Sequence, residues 1–151
     1  DHEFLVLERD NRGVGVEVTA TPIHKRIYRI DLSGASDIRN VSLAGSNDLP
    51  AGIVPVSKQP EADLLAALHS VGSDIPEKLE GLAIGPRLIF GGRSALVGSD
   101  NDYSVTQTGA GEQFDVCVNA ANTARQQVPL DSPCPAGMDL IPGYLLSFKV
   151  R

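Results

Sequence analysis

Apolar and polar positions along this chain alternate mostly with the short period of β-strands, and only once with the period of a helix. Residues 3–9 set Phe4, Leu5, Val6 and Leu7 between charged neighbours, which predicts a buried strand. The run Asp10, Asn11, Arg12, Gly13 ends it with a turn signal. Val14, Val16 and Val18 alternate strictly and predict a second strand over 13–21 with one polar face. Residues 24–32 predict a third, with Tyr28, Ile30 and Leu32 on one face. From Ser33 to Pro50 the pattern is that of a loop, with a weaker strand around Ile38 to Leu43. Residues 53–57 give a short strand that Pro55 confines to an edge. The single helical pattern covers 61–69, where Leu64, Leu65 and Leu68 form one stripe.

The centre of the chain is a hairpin of two expected strands, 79–84 and 94–99. Antiparallel pairing puts Glu80 on the same rim as Asp100, Asn101 and Asp102. Several oxygen donors on one rim suit a hard cation such as calcium; the same Asp and Asn residues serve equally as ordinary turn formers. Residues 103–108 and 112–118 read as strands, 119–142 as a loop, and 143–150 as a closing apolar strand. A weak internal repeat relates Val6–Asn11 to Leu96–Asn101, an offset of 90 residues. That is close to twice the roughly 45 residues of a propeller blade, and it favours radially repeated sheets over a sandwich.

Composition narrows the classes. The 151 residues suffice for one domain with a core, and 15 Gly, 10 Pro and 5% aromatic residues indicate short elements joined by turns. The net charge is −6, with no Lys/Arg block, which argues against duplex nucleic acid or an anionic membrane as partner on charge alone. No apolar run approaches the roughly 20 residues of a membrane span. Cys117 and Cys134, with 16 residues between them, lack metal-type spacing. They are expected to form one disulfide in an exported, secreted or periplasmic protein, the alternative being two unpaired thiols in the cytosol.

Four segments in order carry a resemblance: Phe4–Asn11, Lys25–Leu32, Lys78–Ala83 and Ser99–Tyr103. Together they resemble the phytase-like β-propeller family, "esterase-like activity of phytase", over most of 3–107, with the closing strand 144–150 also in place. The resemblance implies an all-β fold, a β-propeller of the six-bladed type with one short helix. Because these motifs belong to the C-terminal part of longer members, residues 1–151 are expected to be a single propeller domain fragment of about three blades. Such an incomplete ring would pair with an N-terminal portion of the same propeller or with another chain.

The resemblance also implies a hydrolase of phosphoesters or related esters whose site lies where blades converge on a central channel. Glu8, Glu80, Asp100, Asn101 and Asp102 are the expected calcium ligands, with Glu80 and Glu8 as general-base candidates. Arg9, Lys78 and Arg93 stand beside these motifs and are expected to neutralise a small-molecule phosphoester, although each is also an ordinary solvated charge. Serine chemistry finds no Gly-x-Ser-x-Gly elbow, and His2, His24 and His69 show neither triad nor zinc spacing. Two other readings stand beside this one: a calcium-dependent lactonase or arylesterase, and a non-catalytic propeller module.

Overall fold

The computed structural model describes residues 2–13, 21–45, 47–100, 104–105, 111–121 and 123–150. The strand expected over 13–21 therefore falls almost wholly outside the described residues, as do Asn101 and Asp102. Among the described residues, ten strands form three small antiparallel sheets beside one short helix. These residues are all-β in character and close no ring.

The first sheet has the order β1 (Glu3–Arg9), β2 (Lys25–Asp31), β3 (Ser57–Asp63). Leu7 of β1 lies opposite Ile27, and Ile27 opposite Ala62, so these three share one face. That face is the core. Ile27 is fully buried, with Leu5, Leu7 and Ala62 packed around it. In β2 Lys25 and Ile27 turn toward this shared core, while Tyr28 is buried on the opposite face of the strand.

β3 was not legible. The short strand expected at 53–57 starts only at Ser57, and the weaker one around Ile38 to Leu43 does not form. β3 is polar, and it is a strand because β2 offers a free edge to pair with. Pro60 sits where the register shifts, a position that tolerates a missing N–H on an edge strand. The helix is correspondingly shorter than expected. Residues Glu61–Asp63 stay in β3, and α1 runs Leu64–Ser70. Asp63 caps it, its carboxylate accepting from the Ala66 amide at 3.0 Å. Leu64 and Leu68 then bury themselves against the same core as Ile27.

The second sheet, ordered β10 (Leu145–Val150), β5 (Arg93–Ser99), β4 (Leu79–Arg87), contains the expected hairpin. Leu79, Ala95, Val97 and Val150 complete the core shared with the first sheet. The third sheet has four strands: β6 (Ser104–Val105), β7 (Gln113–Asn119), β8 (Arg125–Pro129) and β9 (Met138–Leu140), with β9 joining β7. β8 and β9 occupy the expected loop 119–142. β8 lacks alternation and β9 is only three residues long, and both take their strand form from pairing with the apolar β7. Phe114, Val116 and Val118 with Ile141 form a separate small core. The expected disulfide Cys117–Cys134 is present, with Cα atoms 5.7 Å apart.

Candidate functional site

The ends of the first two sheets meet along one polar rim. β1 ends at Arg9 opposite Lys25, the first residue of β2. β4 begins at Leu79 opposite Ser99, the last residue of β5, and the Asp100 amide donates to the Lys78 carbonyl at 2.8 Å. The expected neighbourhood of Glu80 and Asp100 is thus formed by backbone pairing. The two sheets are then joined directly, because the Arg9 guanidinium pairs with the Glu80 carboxylate.

Beneath the rim lies a charge that sequence reading passed over. Lys25 is fully buried. Its ammonium donates to the Asp10 carbonyl at 2.7 Å and the Glu77 carbonyl at 2.6 Å, and it lies 2.9 Å from the Asp10 carboxylate. Two carbonyls accept hydrogen bonds from the ammonium and the Asp10 carboxylate balances its charge as an ion pair, which is what burying it requires. Burial lowers the Lys25 pKa, and the Asp10 partnership resists that shift. For Asp10, burial alone would push the carboxyl up. Hydrogen bonds from the Ile23 and His24 amides, at 2.7 and 3.0 Å, together with Lys25, outweigh it and hold the group at about 2. Gly13 closes the same knot. Its φ is +130°, and a Cβ there would stand 2.4 Å from the Ile75 carbonyl oxygen. One signal for Lys25 was available: it stands two residues before Ile27, on the same face of the strand.

Each expected rim carboxylate within the described residues already faces a cation. Glu8 and Arg9 are neighbours in a strand, so their side chains leave on opposite faces. Arg9 reaches Glu80, whereas Glu8 pairs with Lys58 and lies 3.6 Å from His24 Nε2. Lys58 also lies over the Tyr28 ring, 4.1 Å from its centre, and His24 stacks on that ring at 5.9 Å. Asp100 lies 3.7 Å from Lys78. The rim therefore gathers Glu8, Glu80 and Asp100 at one end of the sheets, but on different sides of it. Among the described residues, no three His, Cys, Asp or Glu groups converge. Each of these three carboxylates has a cation beside it, and the other two expected ligands, Asn101 and Asp102, lie outside the described residues.

Of the expected substrate-binding residues, Arg9 and Lys78 belong to the rim and Arg93 does not. Arg93 opens β5, at the other end of a seven-residue strand from Ser99, or about 20 Å away at strand rise. There it lines a cleft of about 460 Å³ with Arg29, Phe4 and Ile84. A smaller cavity, about 270 Å³, lies next to the rim and is lined by Asp74, Asn119, Asp139 and Tyr144. Tyr144 is tied to the rim through its amide, which donates to the Ser99 hydroxyl at 2.7 Å. Burial, with Asp74 beside it, pushes its phenol pKa up.

Fold and rim together define an all-β protein whose first two sheets share a charged mouth. The chain belongs to the phytase-like family, described as "esterase-like activity of phytase", whose family model matches residues 1–103. That span contains the first sheet, the helix, the central hairpin and every rim residue from Glu8 to Asp100. No curated protein and no solved structure matches the chain.

Proposed function

We propose that this chain is part of a hydrolase of phosphoesters or related esters that works at the rim shared by β1, β4 and β5. The family match over residues 1–103 carries the reading, since it spans both strands of the Arg9–Glu80 pair. In this reading the three sheets are blades of a propeller and the rim faces its channel. The Cys117–Cys134 disulfide accords with an oxidising, exported setting.

The rim offers a chemical sequence that uses only the chain's own residues. Arg9 and Lys78 are cations held near the surface by carboxylates. A phosphoryl group with more charge and better fork geometry than Glu80 displaces it from Arg9. Glu80, released and solvent-facing, then accepts the proton of the attacking water as the water oxygen bonds to phosphorus. The P–O bond to the alcohol breaks, and the alkoxide leaves and takes a proton from solvent. Binding the anion and freeing the base are one event.

The test is hydrolysis of a chromogenic phosphodiester and of an aryl lactone by the whole chain, with and without chelator. Phosphodiester turnover is expected, with Arg9→Gln raising KM and Glu80→Gln lowering kcat by about 10²-fold or more. Turnover of the lactone alone would replace the phosphoesterase reading with the arylesterase one. Turnover of neither, or a Glu80→Gln variant as active as the parent, would reject this site.

A further inference from the structure

The end of the molecule opposite the rim has the reverse electrostatic character. In the strands of the first two sheets, Arg9, Lys25, Arg26, Arg29 and Lys58 each pair with a carboxylate. Among the described residues, Arg87, Arg93 and Lys149 have no carboxylate partner in this chain, whose net charge is −6. These three surround one feature, the tip of the β4–β5 hairpin. Arg87 and Arg93 are register partners, a like-charge juxtaposition that costs stability when nothing neutralises it. Lys149 lies opposite Ser94, on the other face of the sheet from Arg93, and its side-chain carbons run beside Gly92. Cations thus bracket the tip from both faces.

The tip itself is apolar. Ile89 is 96% exposed and Phe90 is 92% exposed, the two most exposed large apolar side chains among the described residues. The turn that presents them is fixed: the Leu88 amide donates to the Gly92 carbonyl and the Gly91 amide to the Leu88 carbonyl, each at 3.0 Å, and Gly91 and Gly92 both take φ near +80°. Behind the tip, Phe4 and Ile84, each about half exposed, extend the apolar surface into the cleft that Arg93 lines. Glu3, the acidic residue on that cleft wall, faces Arg29 at 3.7 Å and leaves Arg93 unneutralised.

We infer that this hairpin tip docks on an anionic lipid surface, with Ile89 and Phe90 entering the headgroup region and Arg87, Arg93 and Lys149 at the phosphate level. An apex of two bulky apolar residues with cations one to two positions behind it matches the layered polarity of a bilayer interface. A turn reaches only a few ångströms, the depth of interfacial rather than spanning insertion. The acidic remainder of the chain is repelled by the same surface. Attachment is therefore confined to this end, and the opposite rim is left facing solution.

Co-sedimentation of the whole chain with phosphatidylcholine vesicles, with and without phosphatidylglycerol, tests this. Binding is expected only to the phosphatidylglycerol vesicles and is expected to weaken as salt rises. Ile89→Ser with Phe90→Ser is expected to weaken it by about tenfold or more. Arg87→Gln with Arg93→Gln, which leaves only Lys149 of the three cations, is expected to make the salt dependence markedly shallower. All four positions are exposed, so circular dichroism should be unchanged. No binding to either vesicle, or binding that the tip variant does not alter, overturns the proposal. Concentration-dependent self-association abolished by the tip variant, without vesicle binding, also overturns it and assigns the tip to a second copy.

Discussion

Lys25 shows how much one residue can decide here. Its ammonium ties together the end of β1, the start of β2 and the segment leading into β4. Removing it leaves the Asp10 carboxylate and the Glu77 carbonyl without their cation in a desolvated place. Lys25→Met is therefore expected to cost about 3 kcal/mol in urea denaturation, within the range for breaking a buried ion pair. A loss below about 1 kcal/mol would mean that water takes over both contacts. The partner group makes a separate pH prediction. Asp10 titrates at about 2 in the folded chain, below its unfolded value. A depressed carboxylate stabilises the fold above the unfolded value near 4, and the contribution is lost as pH falls through about 2. Between pH 5 and pH 2 Asp10 should account for roughly 1 kcal/mol of lost stability, after allowance for screening. Asp31, Asp37 and Asp63, also lowered, act in the same direction. An Asp10→Asn variant with an unchanged acid slope would exclude Asp10 as a source.

At the level of elements, the strands divide into those that carry their own apolar pattern and those that borrow it. β1, β2, β4, β5, β7 and β10 present inward side chains to one of the two cores. β3 and β8 are mostly polar and β9 has only three residues, and each is held by a neighbour that does. The disulfide matters most for this second group. Cys117 lies in β7 opposite Leu140 of β9, and Cys134 lies in the connection between β8 and β9. Cys117→Ser with Cys134→Ser is expected to lower stability by about 3 kcal/mol. The loss should appear as faster amide exchange in β8 and β9, with β1, β2 and α1 unchanged, because the two cores are separate. Uniform acceleration across all three sheets would show instead that the cores unfold as one unit.

The first two sheets are electrically polarised along their length. At the rim, each described carboxylate faces a cation, so an arriving anion must exchange with a resident carboxylate. At the hairpin tip, cations stand unmatched beside exposed apolar groups. The proposed chemistry belongs to the first end and the proposed lipid contact to the second, about a strand's length away. Neither proposal depends on the other: Glu80→Gln should leave vesicle binding intact, and Ile89→Ser with Phe90→Ser should leave hydrolysis intact.

The fold was legible where apolar residues alternate at strand period, and family membership where four short segments kept their order. β1, β2, the central hairpin, β7, β10 and the Cys117–Cys134 pair could be read from the chain alone. A period-2 pattern reports one strand's faces; it does not report which face another element will cover. That is why Lys25 and Ile27 reach the core shared with the second sheet while Tyr28 is buried on the other face, and why Arg93 lies a strand's length from the rim it adjoins in sequence. Partners 50 or more residues apart, such as Glu8 with Lys58 and Arg9 with Glu80, exist only after the sheets pack. The sequence by itself determined the apolar strands, the rim's supply of charges and the disulfide. Only the tertiary structure decided which charges meet, because pairing energy depends on distance and burial, and neither is written in the order of residues.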